Sequence, residues 1–302
     1  PLPAEEIKKK LHWRYLRTTK GADLLCRFIT EKCANSCCAA MEEVLRTSDY
    51  PAWMQRNLHS RDMMLRILIV RLAGLMRIRT FETQIIPLMQ AHQDNLNLQY
   101  AGFLALSMMG NRESILRLCS DPGFTKALSY RSLKEIFAVY TGDKRFLYEK
   151  LLDSSDGYIR RIVIKNIGEE GLTEFADRLT PLLQNDDRNL LCDVIRTLGQ
   201  LRYAPAGEQI AQSLQSGDWV LRNAAVVALA SIDADGYRPC LMAGLQDKEW
   251  WVRYNSAREL CAHVPLQALE ALLPTLQDRF ATDILRFTIQ ETRLMGKGVA
   301  QV

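Results

Sequence analysis

Basic side chains recur at a fixed spacing of 31 residues through the C-terminal half of the chain. Lys165, Arg196 and Arg258 form one such row, with Val227 in the remaining place, and Arg71 holds the corresponding position of an earlier segment. Such cations bind carboxylate or phosphate oxygens through charge-assisted hydrogen bonds. The row therefore fits an acidic peptide, a phosphorylated ligand or a nucleic-acid backbone. The alternative interpretation is a solvated helix face.

Two neighbouring rows at the same spacing add further candidates. One row holds Arg161 and Tyr254, and the other contains Trp251. Aromatic residues beside cations are typical anchors of protein interfaces. Trp219 and Trp250 are interpreted instead as packing residues between adjacent turns. The predicted partner-binding residues are Arg71, Arg161, Lys165, Arg196, Trp251, Tyr254 and Arg258.

Motifs for catalysis are absent from the sequence. The four histidines are scattered, and none stands in a His-Glu pair: His12, His59, His92 and His263. There is no GxxxxGK[ST] phosphate loop, no GxSxG elbow and no HExxH helix. The sequence therefore predicts no catalytic residue.

Cysteines do not form a metal-binding pattern. Cys33 and Cys37 are four residues apart and would share one helix face. Zinc and iron–sulfur sites require paired CxxC spacings or histidine partners, and neither is present here. We expect buried apolar thiols, with no metal and no cofactor. The irregular spacing of the eight cysteines indicates reduced thiols in a cytosolic protein.

These candidate residues lie on an internal repeat. Four units of 31 residues follow one another without insertion between residues 152 and 260. One phase is apolar and a second is acidic: Leu152, Leu183, Leu214 and Leu245, then Asp156, Asp187, Asp218 and Glu249. A fixed period of this length indicates a solenoid, in which each unit buries its apolar face on its neighbours.

One unit shows how such a repeat would fold. Residues 207–215 and 219–232 predict two helices, and a turn at residues 216–218 separates them. Gly217 is expected to adopt a left-handed conformation, and Asp218 is expected to cap the second helix. Two helices in 31 residues leave only short turns. The sequence therefore predicts an all-α fold.

The repeat resembles the HEAT-repeat family, in particular its short bacterial form, which is also found in phycobilisome lyases. The resemblance rests on four segments: LLDSSDGYIRRIVIKNIG, LLQNDDRNLLCDVIRTLG, LQSGDWVLRNAAVVALA and LQDKEWWVRYNSARELC. It implies a right-handed α-solenoid of HEAT-like helix pairs, in which the second helix of each pair lines the concave face. It also implies a ladder between repeats, in which the turn aspartates meet Arg160, Arg222 and Arg253. Leu191 should break this ladder.

Four segments follow from this interpretation. Residues 1–50 form a basic N-terminal segment with capping helices, and residues 51–146 form degenerate HEAT-like repeats. Residues 147–262 form four regular repeats, and residues 263–302 form a C-terminal cap.

The predicted function is that of a non-catalytic scaffold or adaptor, which binds a protein partner with an acidic surface through the concave face of the solenoid. The alternative is a HEAT-like DNA-binding protein or an alkylpurine DNA glycosylase. Trp250, Trp251, Asp247 and Arg258 invite that comparison because such enzymes combine Trp, Asp and Arg on a basic concave face. A phycobilin-lyase role would require a bilin-bearing partner.

The N-terminal end is distinctly basic. Residues 1–80 hold 15 Lys and Arg against 8 Asp and Glu, a net charge of +7. Residues 7–20 combine cations with Trp13 and Tyr15, which fits either an anionic membrane surface or a solvated first helix. No apolar run reaches the roughly 18 residues that a membrane-spanning helix requires. We expect a cytoplasmic protein, at the inner face of a membrane if an anchor precedes Pro1.

Overall fold

The computed structural model describes the backbone of residues 6, 9–32, 36–121, 125 and 128–299. Side chains are described for the same residues except 32, 36–40 and 296–299. Throughout these described residues the regular structure is helical, with no strand. This confirms the predicted all-α fold. The chain divides into two compact units, residues 1–162 and 163–302.

The N-terminal unit is built from short and medium-length helices, and one 3-10 helix lies at Arg79–Phe81. The helices are α1 (Trp13–Leu16), α2 (Thr19–Lys32), α3 (Ser36–Thr47), α4 (Tyr50–Asn57), α5 (Met63–Leu75), α6 (Glu82–Ala91), α7 (Leu96–Met109), α8 (Arg112–Cys119), α9 (Tyr130–Ala138) and α10 (Lys144–Leu151). Helix α11 (Gly157–Glu169) contains the boundary between the units.

The C-terminal unit alternates short first helices with longer second helices. The first helices are α12 (Ala176–Leu179), α14 (Gly207–Gln212), α16 (Arg238–Gly244) and α18 (Leu266–Leu272); the second helices are α13 (Arg188–Gln200), α15 (Trp219–Asp233), α17 (Trp250–His263) and α19 (Arg279–Val299). Short 3-10 helices adjoin the first helices at Thr173–Phe175, Thr180–Gln184, Ala204–Ala206, Ser213–Gln215 and Leu273–Thr275. The two predicted helices of the unit at 207–232 are thus confirmed.

Aspartate side chains cap three of the four second helices of the C-terminal unit, whereas Glu249, at the same place before α17, makes no such bond. The Asp218 carboxylate accepts a hydrogen bond from the Val220 N–H at 2.9 Å, as predicted. Asp187 accepts from the Asn189 N–H in the same way. These bonds satisfy backbone donors that have no partner within the helix. The expected left-handed conformation of Gly217 is wrong, because the positive-φ glycines of the described chain are Gly110 and Gly171.

Second helices pack directly on one another within the C-terminal unit: α13 on α15, α15 on α17 and α17 on α19. Their contact is close because small residues face each other. A Cβ atom on Gly199 would lie 2.6 Å from the Cα atom of Ala228. Gly74 meets Ala105 in the same manner in the N-terminal unit, where α5 packs on α7.

The arginine ladder differs from its predicted form. The Arg222 guanidinium binds Asp247, which lies in the turn before α17, through bonds of 2.7 and 2.8 Å. Arg253 donates to the backbone carbonyl of Asp247 at 2.6 Å. At the position where Leu191 interrupts the arginine row, Arg188 pairs with the capping Asp218 instead. The link between repeats is therefore kept by another residue of the same helix.

Candidate partner-binding surface

The capping residues fix which side chains the second helices of the C-terminal unit present. Helices α13, α15, α17 and α19 follow Asp187, Asp218, Glu249 and Asp278. Residues two, five and nine positions after each of these four residues occupy equivalent places, because the helices pack side by side. We name the surface formed by these positions the second-helix face. It contains most of the predicted partner-binding residues.

Lys165 is held by an ion pair. Its Nζ atom lies 3.3 Å from Asp193 Oδ1, and the Asp193 side chain is only 3% exposed. A buried carboxylate needs a cation or hydrogen-bond donors close by. The charge of Lys165 therefore helps to balance the buried Asp193 carboxylate.

Arg196, like Arg258, is an accessible cation of the row. It lies exposed on α13 and forms no ion pair among the residues that the structure describes. Burial raises the pKa of the neighbouring Cys192 thiol above its usual value, although Arg196 opposes that shift. Because it is exposed and not engaged in an ion pair with any described residue, the guanidinium of Arg196 is available to an acidic ligand.

Three aromatic rings form a cluster at the start of α17. The rings of Trp250 and Tyr254 stack with centroids 4.9 Å apart, and Trp251 meets the Trp250 ring edge-on at 4.7 Å. The Arg258 guanidinium lies 6.0 Å from the Tyr254 ring centroid. Trp250 and Trp251 are 45% and 52% exposed. Trp250 therefore belongs to the exposed cluster as well as packing against its own helix.

Tyr254 ties this cluster to α19. Its hydroxyl donates to Glu291 Oε2 at 3.1 Å. Desolvation and this hydrogen bond raise the pKa of Tyr254 above its usual value, so the phenol remains a donor. The orientation of the ring is fixed by a contact between two neighbouring second helices.

Phe280 and Phe287 extend the second-helix face, and the sequence interpretation missed them. They lie two and nine residues after Asp278, where Trp251 and Arg258 lie after Glu249. Asp278 accepts a hydrogen bond from the Phe280 N–H at 2.7 Å. The last repeat is two residues shorter than the others, so a strict 31-residue period points to the wrong residues. Counting from the capping aspartate would have found both.

The remaining predicted residues lie in the N-terminal unit. Arg71 is half-buried on α5. Burial raises the pKa of Cys26 to about 12, and the nearby charge of Arg71 acts against this shift. Arg161 is half-buried on α11, near Tyr158. The participation of both arginines in partner binding stays a prediction.

Asp247 does not offer a free carboxylate. Arg222 binds both of its oxygens, and the two side chains are 13% and 7% exposed. Partial burial alone would raise the pKa of Asp247, but the hydrogen bonds from Arg222 and from the Glu249 N–H lower it below its usual value. Asp247 is thus an ion-pair partner between repeats.

Metal-binding clusters of His, Cys, Asp and Glu are absent from the described residues. The cysteines whose side chains are described are free thiols. Cys240 is half-buried, and the others are buried: Cys26, Cys119, Cys192 and Cys261. Cys33 and Cys37, considered above as a helical pair, lie outside the described side chains.

At the N-terminus, the structure describes only part of the basic segment 7–20, because residues 7 and 8 fall outside it. The ring of Trp13 packs 6.4 Å from that of Tyr50, and Arg17 pairs with Asp49. Tyr15 is 47% exposed. Among the described helices, none combines the length and apolar character needed to cross a membrane.

Glu259 gives a pH-dependent prediction. Burial raises the pKa of this carboxyl on α17, against the opposing charges of Arg258 and His263. A raised folded-state pKa stabilises the fold below the ordinary glutamate pKa of about 4.3, and that stabilisation is lost as the pH rises through the folded value. Glu259→Gln should therefore raise the urea midpoint at pH 7.5 and leave it nearly unchanged near pH 4. Glu208→Gln, at an exposed position, is the control and should change the urea midpoint little at either pH. If Glu259→Gln raised the midpoint equally at pH 7.5 and pH 4, burial of the charged carboxylate would not be the cause.

Comparisons with known proteins bear on the fold. The family model described as HEAT repeats matches residues 145–230 and 207–291. An engineered protein of known structure is 15% identical, covering 93% of this chain and 87% of its own, with a TM-score of 0.47. The complex of CpcE and CpcF of phycocyanin lyase from Nostoc sp. PCC7120 is 20% identical, covering 79% and 94%, with a TM-score of 0.37.

Human deoxyhypusine hydroxylase in complex with glycerol is 16% identical, covering 91% of this chain and 96% of its own, with a TM-score of 0.32. No curated protein sequence matches the chain. The repeats, their capping aspartates and the packing of successive second helices agree with the family match. Residues 145–291 therefore consist of HEAT repeats.

Proposed function

We propose that the protein is a scaffold or adaptor that binds a protein partner on the second-helix face of its C-terminal unit. The exposed ring cluster of Trp250, Trp251 and Tyr254, with Arg258 beside it, carries the proposal. Tryptophan, tyrosine and arginine are the residues that most often dominate the energetics of protein interfaces. Clustered on one helix, they form an anchor for a partner.

The charge of this surface selects an acidic partner. Arg196 and Arg258 are exposed, and neither forms an ion pair among the described residues. Neighbouring helix axes lie about 8–10 Å apart, so two repeats separate the arginines by roughly 20 Å. A partner that reaches both must present carboxylates over that span. Such complementarity steers association and fixes the register of the complex.

Nucleic acid fits this unit less well. Residues 163–302 hold 14 Lys and Arg against 18 Asp and Glu, a net charge of −4. Most of the affinity of a DNA-binding protein comes from contacts with phosphates, which require a basic surface. The glycosylase alternative also needs a free carboxylate, whereas Asp247 is held by Arg222. Buried free thiols are typical of reducing compartments, and a cytoplasmic location is part of the proposal.

The test compares partner capture in native cells by the wild-type protein and by an Arg196→Glu/Arg258→Glu variant. Lys165 is left unchanged because it balances Asp193. Loss of both cations should reduce recovery of the bound protein by at least about tenfold, or roughly 1.4 kcal/mol. The Arg202→Glu/Arg238→Glu variant is the control, since it makes the same charge change at exposed positions outside the second-helix face.

Two results would contradict the proposal. One is unchanged recovery of every captured protein by the Arg196→Glu/Arg258→Glu variant. The other is salt-dependent binding of duplex DNA that the same variant abolishes, which would favour the nucleic-acid alternative.

A further inference from the structure

The exposed side of α19 carries an apolar stripe. Phe280, Phe287 and Leu294 are spaced seven residues apart and are 66%, 53% and 72% exposed. Seven residues advance about 10.5 Å along an α-helix and return to nearly the same side. The three side chains therefore form a line about 21 Å long. Ala281 and Leu285, on the opposite side of α19, are buried in the core.

An arginine row runs along one flank of this stripe. Arg279, Arg286 and Arg293 each precede one of the apolar residues. Asp283 lies 3.6 Å from Arg279 and 3.5 Å from Arg286, and Glu270 lies 2.6 Å from Arg293. Three cations thus share two carboxylates, and their exposed contacts are easily exchanged for others. This flank has an excess of positive charge.

Helix α17 lies along the other flank. Glu291, on the side of the stripe away from the arginine row, accepts a hydrogen bond from the Tyr254 hydroxyl. Arg258 stands nine residues after Glu249, as Phe287 stands nine residues after Asp278, so the two occupy equivalent places on neighbouring helices. Among the described residues, the guanidinium of Arg258 forms no ion pair within 4.0 Å, although its charge acts on the neighbouring Glu259 carboxyl. The α17 flank of the stripe therefore carries Arg258 and also Arg253, whose guanidinium lies 5.5 Å from the Phe280 ring, whereas the Glu291 carboxylate on this flank is already held by Tyr254.

We infer that this stripe docks an amphipathic helix of a partner protein, with apolar side chains seven residues apart and carboxylates along both flanks. The inference rests on the proposed function and names the partner segment for the same surface. A helix laid along α19 would cover Phe280, Phe287 and Leu294 with its apolar side, in the manner of helix-in-groove recognition. Its acidic flanks would meet Arg258 and the arginine row.

A second copy of the chain is a poorer occupant, because a symmetric pair of α19 helices brings like charges together. In an antiparallel pair the arginine row would face its own copy. In a parallel pair the two Asp283 side chains, each 55% exposed, would stand side by side. An asymmetric partner with acidic flanks avoids both conflicts.

The experiment titrates the purified full chain with a labelled synthetic helix and measures fluorescence anisotropy. The probe is a peptide of about 21 residues, roughly 30 Å of helix, with leucines at seven-residue spacing and glutamates on both flanks. Two control peptides keep its length: one carries lysines in place of the glutamates, and the other has the leucine positions scrambled. Wild-type protein should bind the acidic peptide at least about tenfold tighter than either control.

Two variants locate the binding. Phe280→Ser/Phe287→Ser should weaken binding of the acidic peptide by at least about tenfold. Leu24→Ser, which alters a side chain 54% exposed in the N-terminal unit, should leave it unchanged. Arg286→Glu gives an independent check because it leaves the apolar stripe intact. It should weaken the acidic peptide and strengthen the lysine peptide. Circular dichroism of each variant confirms that it is folded.

The inference is overturned if the acidic peptide binds no tighter than the scrambled one, or if the double serine variant keeps its affinity. It is also overturned if light scattering shows a wild-type dimer that this variant dissociates, or if the variant abolishes binding to anionic lipid vesicles. In cells, the Arg196→Glu/Arg258→Glu variant could lose the captured partner while the double serine variant retains it. That result would reject the stripe as the docking site but leave the proposed function intact. Capture unaffected by either variant would reject the proposed function as well.

Discussion

Asp247→Ala is expected to lower the free energy of unfolding by about 3–5 kcal/mol, the usual effect of removing one partner from a buried ion pair. The substitution leaves the Arg222 guanidinium, 7% exposed, without its two carboxylate contacts. It also removes the acceptor for the Glu249 N–H. Urea unfolding measures the loss. The matched control is Asp235→Ala, which breaks an exposed contact with Arg238 and should change the free energy by no more than about 0.5 kcal/mol.

The effect should also depend on pH. Because the pKa of Asp247 in the folded protein is lowered, its stabilisation is present above the ordinary aspartate pKa, about 3.9. It is lost as the pH falls through the folded-state value. The difference between wild type and Asp247→Ala should therefore shrink in acid. A difference that is constant from pH 7 to pH 3 would show that the carboxylate charge is not its cause.

Gly199→Val is expected to destabilise the C-terminal unit by about 1–3 kcal/mol, the usual result of overpacking a close contact. Its Cβ atom would meet the Cα atom of Ala228 at 2.6 Å, so α13 and α15 would have to move apart. Backbone atoms cannot yield as a flexible side chain does. Thermal unfolding followed by circular dichroism measures the change in midpoint.

Gly217→Ala provides the control for the Gly199→Val substitution. An added Cβ at Gly217 has nothing within 4 Å, and the residue does not have a positive φ. Alanine should then stabilise the fold by about 0.4–1 kcal/mol, because it restricts the unfolded chain. If both glycine substitutions shifted the midpoint equally, close approach of the helices would not explain the loss at Gly199.

The regular repeats could be predicted from the sequence because local rules and packing agree there. The apolar spacing of residues 219–232 gives a helix, and Asp218 supplies its cap. The ladder acceptors could not be predicted. Asp247 lies two residues before Glu249, and Glu249 is the residue at the acidic position of the repeat. Only the folded turn brings the Asp247 carboxylate to Arg222. The pairing of Lys165 with buried Asp193 likewise depends on how α11 packs on α13.

The positions of the candidate surface could be predicted in part. Periodicity predicts Arg196, Trp251, Tyr254 and Arg258 as one surface, but the exposure of each side chain depends on how the helices pack: Tyr254 is half-buried, and the other three are exposed. Periodicity does not predict Phe280, because the last repeat is shorter than the others. The place of Phe280 matches that of Trp251 only when residues are counted from Asp278.

The capping residues have a consequence for how this surface can change. Three of the four second helices begin at an aspartate whose carboxylate binds the N–H groups of the first turn, as Asp278 does for α19, and Glu249 holds the same place before α17 without such a bond. Residues added or lost before the cap alter the first helix and the turn, yet leave the same side chains on the second-helix face. One residue inserted after the cap would turn every later side chain by about 100°. The loops before the caps can therefore vary in length while the docking residues keep their alignment.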